Sequence, residues 1–158
     1  MEQLLTILSG IPGSGKSRVA GRIQEATGAI VASTDQFMVN EAGEYEFKLE
    51  QMDPAFSACS LKVMENLLEG RSVVVDNTNI GVAEINAWIV IGQGARAKNP
   101  ELKVELVRVP VDPTVAFLRQ QHGAPEETHS RMAKEFESNE QAPHWPYLPW
   151  LTIREEAS

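Results

Sequence analysis

Short apolar runs alternate with longer stretches of helical periodicity along almost the whole chain. Leu4 to Ser9 reads as a buried strand that runs into a glycine-rich turn, and Lys16 to Ala26 then has helical character ending near Gly28. Ala29 to Ser33 is the second apolar run. Ser72 to Val75 is the third, a β-branched run of the kind buried on both sheet faces, and Lys103 to Val109 is the fourth. Helices are predicted over Pro54 to Glu69, closed by Gly70, over Val82 to Ala97, and over Pro125 to Ser138. A further helix over Asp112 to Gln121 has Asp112 as its cap and Pro113 in its first turn. Gln36 to Asp53 follows neither period, contains a turn near Glu41 to Glu44, and is expected to lie as an irregular segment over a site.

This alternation predicts an α/β fold with three layers, in which a parallel sheet of about five strands carries helices on both faces. Ligands bind such sheets beyond the carboxyl ends of the strands. The conspicuous polar residues all fall there: a glycine-rich run after the first strand, Thr34 and Asp35 after the second, and Asp76 to Asn79 after the third. No repeat or linker divides the chain, so residues 1–142 are expected to form one domain, with a lid region at about 119–134. Residues 143–158 are expected to form a tail packed on that domain. Its stretch from Pro143 to Trp150 is too rich in proline for a regular helix, and its aromatics suit packing on the domain's apolar surface or stacking on bases.

Composition narrows the function classes. The 158 residues are enough for one real core without disulfides or structural metals, and 42% hydrophobic residues argue against disorder. With 14 Lys and Arg against 22 Asp and Glu, the formal charge of −8 makes long-range attraction to nucleic acid or anionic membrane weak. Any polyanion must be held by local positive groups. The N-terminal apolar run is too short to span a bilayer and has no basic leader, so no membrane association and an intracellular, cytoplasmic location are expected. Cys59 has no partner for a disulfide or at metal-ligand spacing and is expected to be packed on a helix. His129 and His144 likewise have no ligand-spaced neighbours, and no role is read for them.

The chemistry sits in Gly10, Ile11, Pro12, Gly13, Ser14, Gly15, Lys16 and Ser17, a complete G-x-x-x-x-G-K-S phosphate loop between a strand and a helix. Its glycines let successive backbone N–H groups turn toward phosphate oxygens, and the helix N-terminus, entered through Arg18, adds positive partial charge. Lys16 is placed for the β and γ phosphates of ATP and Ser17 for Mg²⁺. Such a loop alone serves kinases, switches and motors alike. Asp35 distinguishes among them, because a carboxylate at the end of the second strand can accept the proton of an attacking hydroxyl. Asp76 ends the third strand, where a carboxylate commonly holds Mg²⁺ through water, whereas Asn77, Thr78 and Asn79 read as turn residues. Positive charge over the transferring group is expected from Arg119 or Arg131, which flank the turn from His122 to Pro125.

Taken together, GIPGSGKS, Ser33-Thr34-Asp35, Glu44-Tyr45-Glu46-Phe47 and Asp76-Asn77-Thr78-Asn79 resemble the polynucleotide kinase-like branch of P-loop kinases, over about residues 4 to 138. The resemblance implies the P-loop kinase fold, ATP with Mg²⁺, Asp35 as general base, and Arg119 as the nearest match to a lid arginine. Phage polynucleotide 5′-kinases of this branch carry an arginine three residues after the catalytic aspartate, where this chain has Met38, and a basic residue where it has His122. The branch also includes phage enzymes that phosphorylate the hydroxymethyl group of 5-hydroxymethyluracil in DNA. That acceptor requires a base drawn from the stack into an apolar pocket, which Phe37, Met38, Tyr45 and Phe47 suit as well as they suit core packing. The resemblance therefore implies a kinase acting on a nucleic-acid hydroxyl, with DNA as partner. A small-molecule kinase for a nucleoside, sugar or metabolite, and a nucleotide-dependent binding module or switch, are the other two readings.

Overall fold

The computed structural model describes residues 2–121, 123–139 and 142–158. The expected turn residue His122 lies outside them. Five strands form one sheet: β1 (Leu4–Ser9), β2 (Ile30–Ala32), β3 (Val73–Val75), β4 (Lys103–Arg108) and β5 (Leu151–Glu155). Their order is β2-β3-β1-β4-β5, and every pairing is parallel. The helices are α1 (Lys16–Thr27), α2 (Met52–Leu68), α3 (Val82–Ala95), α4 (Pro113–Arg119) and α5 (Glu126–Glu137). Among the described residues, no helix is long and apolar enough to cross a membrane.

Alternation along the strands explains the layers. Leu5 and Ile7 of β1, Val73 and Val75 of β3, and Val104 and Leu106 of β4 face one side, where they meet Cys59 and Val63 of α2 and Ile85, Trp88 and Ile89 of α3. Leu8, Val74 and Val107 point the other way and pack on Val19 and Ala20 of α1. A strand that feeds both layers has no polar face, which is why Val73–Val75 reads as an unbroken β-branched run. Cys59 is fully buried in this core, and its burial pushes the thiol up to about 11.

The helices begin and end close to where capping chemistry puts them. The Asp112 carboxylate accepts from the Thr114 and Val115 amides at the start of α4, with Pro113 in the first turn. Helix α1 stops at Gly28, whose left-handed φ of 73° lets its N–H turn back to the Gln24 carbonyl.

The carboxyl-terminal stretch differs from the expected tail. Leu151–Glu155 is the fifth strand, paired with β4 from Val104↔Leu151 to Arg108↔Glu155. As an edge strand it is only partly covered, so its sequence lacks the apolar run that marks the inner strands. Ahead of it, Trp145–Tyr147 makes a single 3₁₀ turn that buries Trp145 in the main core while Tyr147 stays 83% exposed.

Candidate active site

Three adjacent strands deliver the site. The phosphate loop follows β1, Asp76 follows β3 beside it, and Asp35 follows β2 beyond that. Helix α1 leaves β1 toward one face of the sheet, and α3, which follows β3, covers the other, so a crevice opens between these two strand ends.

Within the loop, Gly10 N donates to Thr78 O at 2.9 Å and Ser14 N to Ile11 O at 3.0 Å, so the turn is tied to the end of β3 and closed on itself. Gly13 and Gly15 have φ of 86° and 90°, which side chains disfavour. Space enforces the choice at Gly13, where a Cβ would stand 1.9 Å from the Ala116 carbonyl oxygen of α4. Gly15 is similarly close to Ser158, and Arg22 of α1 holds that segment by donating to Glu156 and to the Ala157 carbonyl.

The charged groups are coupled. Burial lowers the pKa of Lys16, while Asp76 and Asp35 pull it upward. Burial raises that of Asp76, opposed by the Ser17 hydrogen bond and Lys16 and reinforced by Asp35. The Ser17 hydroxyl donates to Asp76 Oδ2 at 2.9 Å. Thus Lys16, Ser17, Asp35 and Asp76 form one electrostatic unit beyond the ends of β1, β2 and β3. The hard oxygens of Ser17 and Asp76 suit Mg²⁺, which prefers few protein ligands and takes the remainder from phosphates and water. The left-handed glycines and the half-buried lysine suit a triphosphate. Among the described residues, no cluster of three His, Cys, Asp or Glu side chains forms a self-sufficient metal cage.

Asp35 is exposed in the 3₁₀ turn Thr34–Phe37. Ser33 caps that turn by accepting from Asp35 N at 3.2 Å, and the Gln36 side chain accepts from Ser33 N at 3.3 Å. Lys62 of α2 braces the turn through the Val31 carbonyl and Gln36. Asn77 accepts from both the amide and the hydroxyl of Thr34, and Asn79 bonds to Leu8 O and Trp88 Nε1. Both therefore position the strand ends. The irregular segment carries a bridge between Val39 and Tyr45 and a turn from Asn40 to Gly43. The aromatic candidates separate: Phe37 packs on the main core and Met38 is 5% exposed, whereas Tyr45 and Phe47 are exposed. Burial and the charge of Asp35 together raise the pKa of Tyr45, which places its phenol within electrostatic reach of that carboxylate. Beside them an open cleft of about 560 Å³ is lined by Met38, Val39, Glu41, Glu46 and Lys48, among others.

The two arginines part company. Arg119 donates through Nε and Nη2 to Gly13 O at 3.1 and 2.9 Å, so the structure brings it to the phosphate loop. Arg131 lies exposed on α5, and no hydrogen bond joins it to the loop among the described residues. Arg18 is exposed in the first turn of α1. His129, to which the sequence gives no role, is buried with Nε2 2.8 Å from Pro12 O. Its signal was not local, since its partner is 117 positions away.

A parallel sheet whose central strand ends in this loop, with Ser17 bonded to the carboxylate of the neighbouring strand, defines a P-loop protein of the nucleotide-binding kinase fold. More particularly, the chain belongs to the AAA domain family AAA_33, whose profile matches residues 5–141. Human NEDD4-binding protein 2 is 31% identical to it over 98 residues, 60% of this chain. The chain spans only 5% of the length of that relative. In fold it is similar to a chain of the Pnkp1/Rnl/Hen1 RNA repair complex, with a TM-score of 0.72, 15% identity and coverage of 87% of this chain and 45% of that one. A gluconokinase from Sinorhizobium meliloti 1021 gives a TM-score of 0.55 at 16% identity, covering 96% and 81%. Shikimate kinase from Acinetobacter baumannii gives 0.54 at 14%, covering 97% and 83%. At these identities the structures establish the fold, which a chain of an RNA repair complex shares with a gluconokinase and a shikimate kinase.

Proposed function

We propose that this protein transfers the γ-phosphate of ATP to a hydroxyl carried on nucleic acid, with the hydroxymethyl group of 5-hydroxymethyluracil in DNA preferred over a polynucleotide 5′-hydroxyl. The observation that carries transfer, as opposed to nucleotide binding alone, is Asp35: exposed at the end of β2, yet close enough to shift both Lys16 and Asp76. Its carboxylate takes the acceptor's proton as the acceptor oxygen bonds to the γ-phosphorus. The bond from that phosphorus to the bridging oxygen breaks, and ADP leaves. Lys16 and the amides of the loop hold the phosphates, Ser17 and Asp76 hold Mg²⁺, and Arg119 answers the charge that develops.

The preference for a base-borne hydroxyl is supported by Met38. Where 5′-kinases of the resembled branch place an arginine, this chain has a buried thioether that offers a terminal phosphate no grip. Tyr45 and Phe47, exposed next to the Asp35 turn, offer aromatic faces to an extruded base.

One observation favours a small-molecule acceptor as the second reading. Between residues 35 and 53 stand Asp35, Glu41, Glu44, Glu46, Glu50 and Asp53 against the single basic residue Lys48, a surface that repels a phosphate backbone. Incubation of γ-labelled ATP with DNA containing 5-hydroxymethyluracil, with 5′-hydroxyl oligonucleotides and with free nucleosides and sugars separates the readings. Label in the modified DNA is expected, and label in the free compounds alone sinks the nucleic-acid reading. If Asp35→Ala leaves ATP turnover intact, the protein is a nucleotide-dependent switch instead.

A further inference from the structure

We propose that His129 is a positioning residue for the phosphate loop: by holding the Pro12 carbonyl it fixes the Pro12–Gly13 peptide so that the Gly13 N–H is aimed at nucleotide phosphate. The inference rests on the reading of Gly10 to Ser17 as the nucleotide site.

The hydrogen bond sets the chemistry of the ring. A carbonyl only accepts, so the proton shared between Nε2 and Pro12 O at 2.8 Å belongs to the imidazole. The ring has little freedom to leave. It is 2% exposed, Phe117 meets it edge-on with centroids 5.5 Å apart, and Ile11, Ile80, Ala116, Ala133 and Phe136 form an apolar cluster joining the loop, α4 and α5.

The helix that carries His129 is anchored as well. At its carboxyl end, Arg108 donates to the Phe136 carbonyl at 2.8 Å and to Asn139 Oδ1 at 3.1 Å, and Asn139 in turn donates to Ser9 Oγ and Ile80 O. These bonds tie the end of α5 to the ends of β1 and β4. His129 therefore reaches the loop from a fixed support.

What that contact does follows from the peptide unit. No peptide bond in the described chain is cis, and in a planar trans peptide the C=O and the following N–H point in opposite directions. Drawing Pro12 O toward α5 turns the Gly13 N–H away from α5. The neighbouring carbonyls are claimed in the same manner, Ile11 O by Ser14 N and Lys16 Nζ, and Gly13 O by Arg119. Three successive carbonyls are thus occupied by donors of the protein. Left unheld, the Pro12–Gly13 plane would be free to rotate and present its oxygen, not its hydrogen, to an anion.

The test uses two variants of the full chain and a direct measure of nucleotide affinity. His129→Phe keeps an aromatic ring beside Phe117 but removes the donor, whereas His129→Gln restores an N–H at about the reach of Nε2. Calorimetric titration with ADP is expected to show binding roughly 3- to 10-fold weaker for His129→Phe and within about twofold of wild type for His129→Gln. AMP, which lacks the β-phosphate, should lose less than ADP. In turnover, KM for ATP should rise while kcat changes little. Unchanged ADP affinity in a folded His129→Phe overturns the proposal, as does equal weakening by both substitutions, which would mark a packing role. Should His129→Phe fail to fold, the Gln variant decides with the Gly13 amide: its NMR exchange rate should match wild type, and faster exchange counts against the proposal. Wild-type protein that binds no ADP refutes the nucleotide-site reading itself, a result distinct from either of these.

Discussion

Ser17 donates its hydroxyl hydrogen to Asp76 across 2.9 Å, joining the first turn of α1 to the end of β3. Two oxygens so placed, one neutral and one charged, are a half-built cation site. Ser17→Ala removes one of them and should lower Mg²⁺-dependent phosphate transfer by about 10²-fold or more, because the metal contributes several kcal/mol to such transition states. Nucleotide titration without Mg²⁺ should be nearly unaffected. Equal loss with and without metal would place Ser17 outside the metal site.

The same pair carries a stability cost. Burial holds the Asp76 carboxyl above its ordinary 3.8, reinforced by Asp35 and only partly offset by Ser17 and Lys16. A carboxyl raised in the folded state contributes stability below its unfolded pKa, and that contribution is lost as pH rises through the folded value. At neutral pH the ionised group therefore burdens the nucleotide-free fold. Asp76→Asn keeps an acceptor for Ser17 and removes the charge, so its Tm at neutral pH should exceed that of wild type by about 2–4 °C for each kcal/mol relieved. The gap should narrow as pH falls through the raised folded-state value toward the ordinary carboxylate range, where wild-type Asp76 also becomes neutral. A lower Tm for the variant at neutral pH would contradict this, and its transfer activity should be lost in any case.

Asp35 makes the next prediction. Because it is exposed on a turn capped by Ser33, Asp35→Ala should leave the fold almost unchanged. As the proposed base it should cost about 10²-fold or more in kcat while ATP affinity stays near wild type. A large rise in ATP Kd with intact kcat would assign it to nucleotide binding.

Arg119 tests how the loop is held from α4. Both its Nε and Nη2 converge on one carbonyl, Gly13 O, a geometry that a lysine ammonium cannot reproduce. Arg119→Ala, which loses both the double contact and the charge, should therefore lower kcat/KM for ATP by roughly tenfold or more, and Arg119→Lys, which loses the double contact alone, by a smaller factor. Recovery in the lysine variant would reduce the role of Arg119 to its charge.

These residues differ in how readable they were. The loop from Gly10 to Ser17 is contiguous, so spacing alone reveals it, and Asp35 and Asp76 follow once the strands before them are recognised. Strand β5 was not readable, because an edge strand alternates weakly and its neighbours here are prolines and tryptophans with packing roles of their own. Arg119 was placed near the site, but its hold on Gly13 O depends on α4 passing so close to Gly13 that no Cβ would fit. His129 is the clearest omission. A lone histidine on a charged helix shows nothing of the carbonyl it meets 117 positions earlier. Phe37 and Phe47 share a sequence neighbourhood but one is packed and the other exposed, a distinction set by the irregular segment's path.

Asn79 shows what the strand-end residues contribute to stability. It is 1% exposed and holds φ of 45°, while its side chain donates to Leu8 O at 2.7 Å and accepts from Trp88 Nε1 at 2.9 Å. Asn79→Ala strands a buried carbonyl and a buried indole N–H, and it also puts a Cβ residue without a compensating hydrogen bond into the left-handed region. Asn79→Gly strands the same groups but relieves the backbone. The polar loss should cost both variants about 2–4 kcal/mol, and the backbone should add about 1 kcal/mol for alanine only. Urea unfolding of the two variants beside wild type measures the terms separately. A glycine variant as stable as wild type would mean that the left-handed turn, and not the link to Trp88, is what the sequence keeps asparagine for.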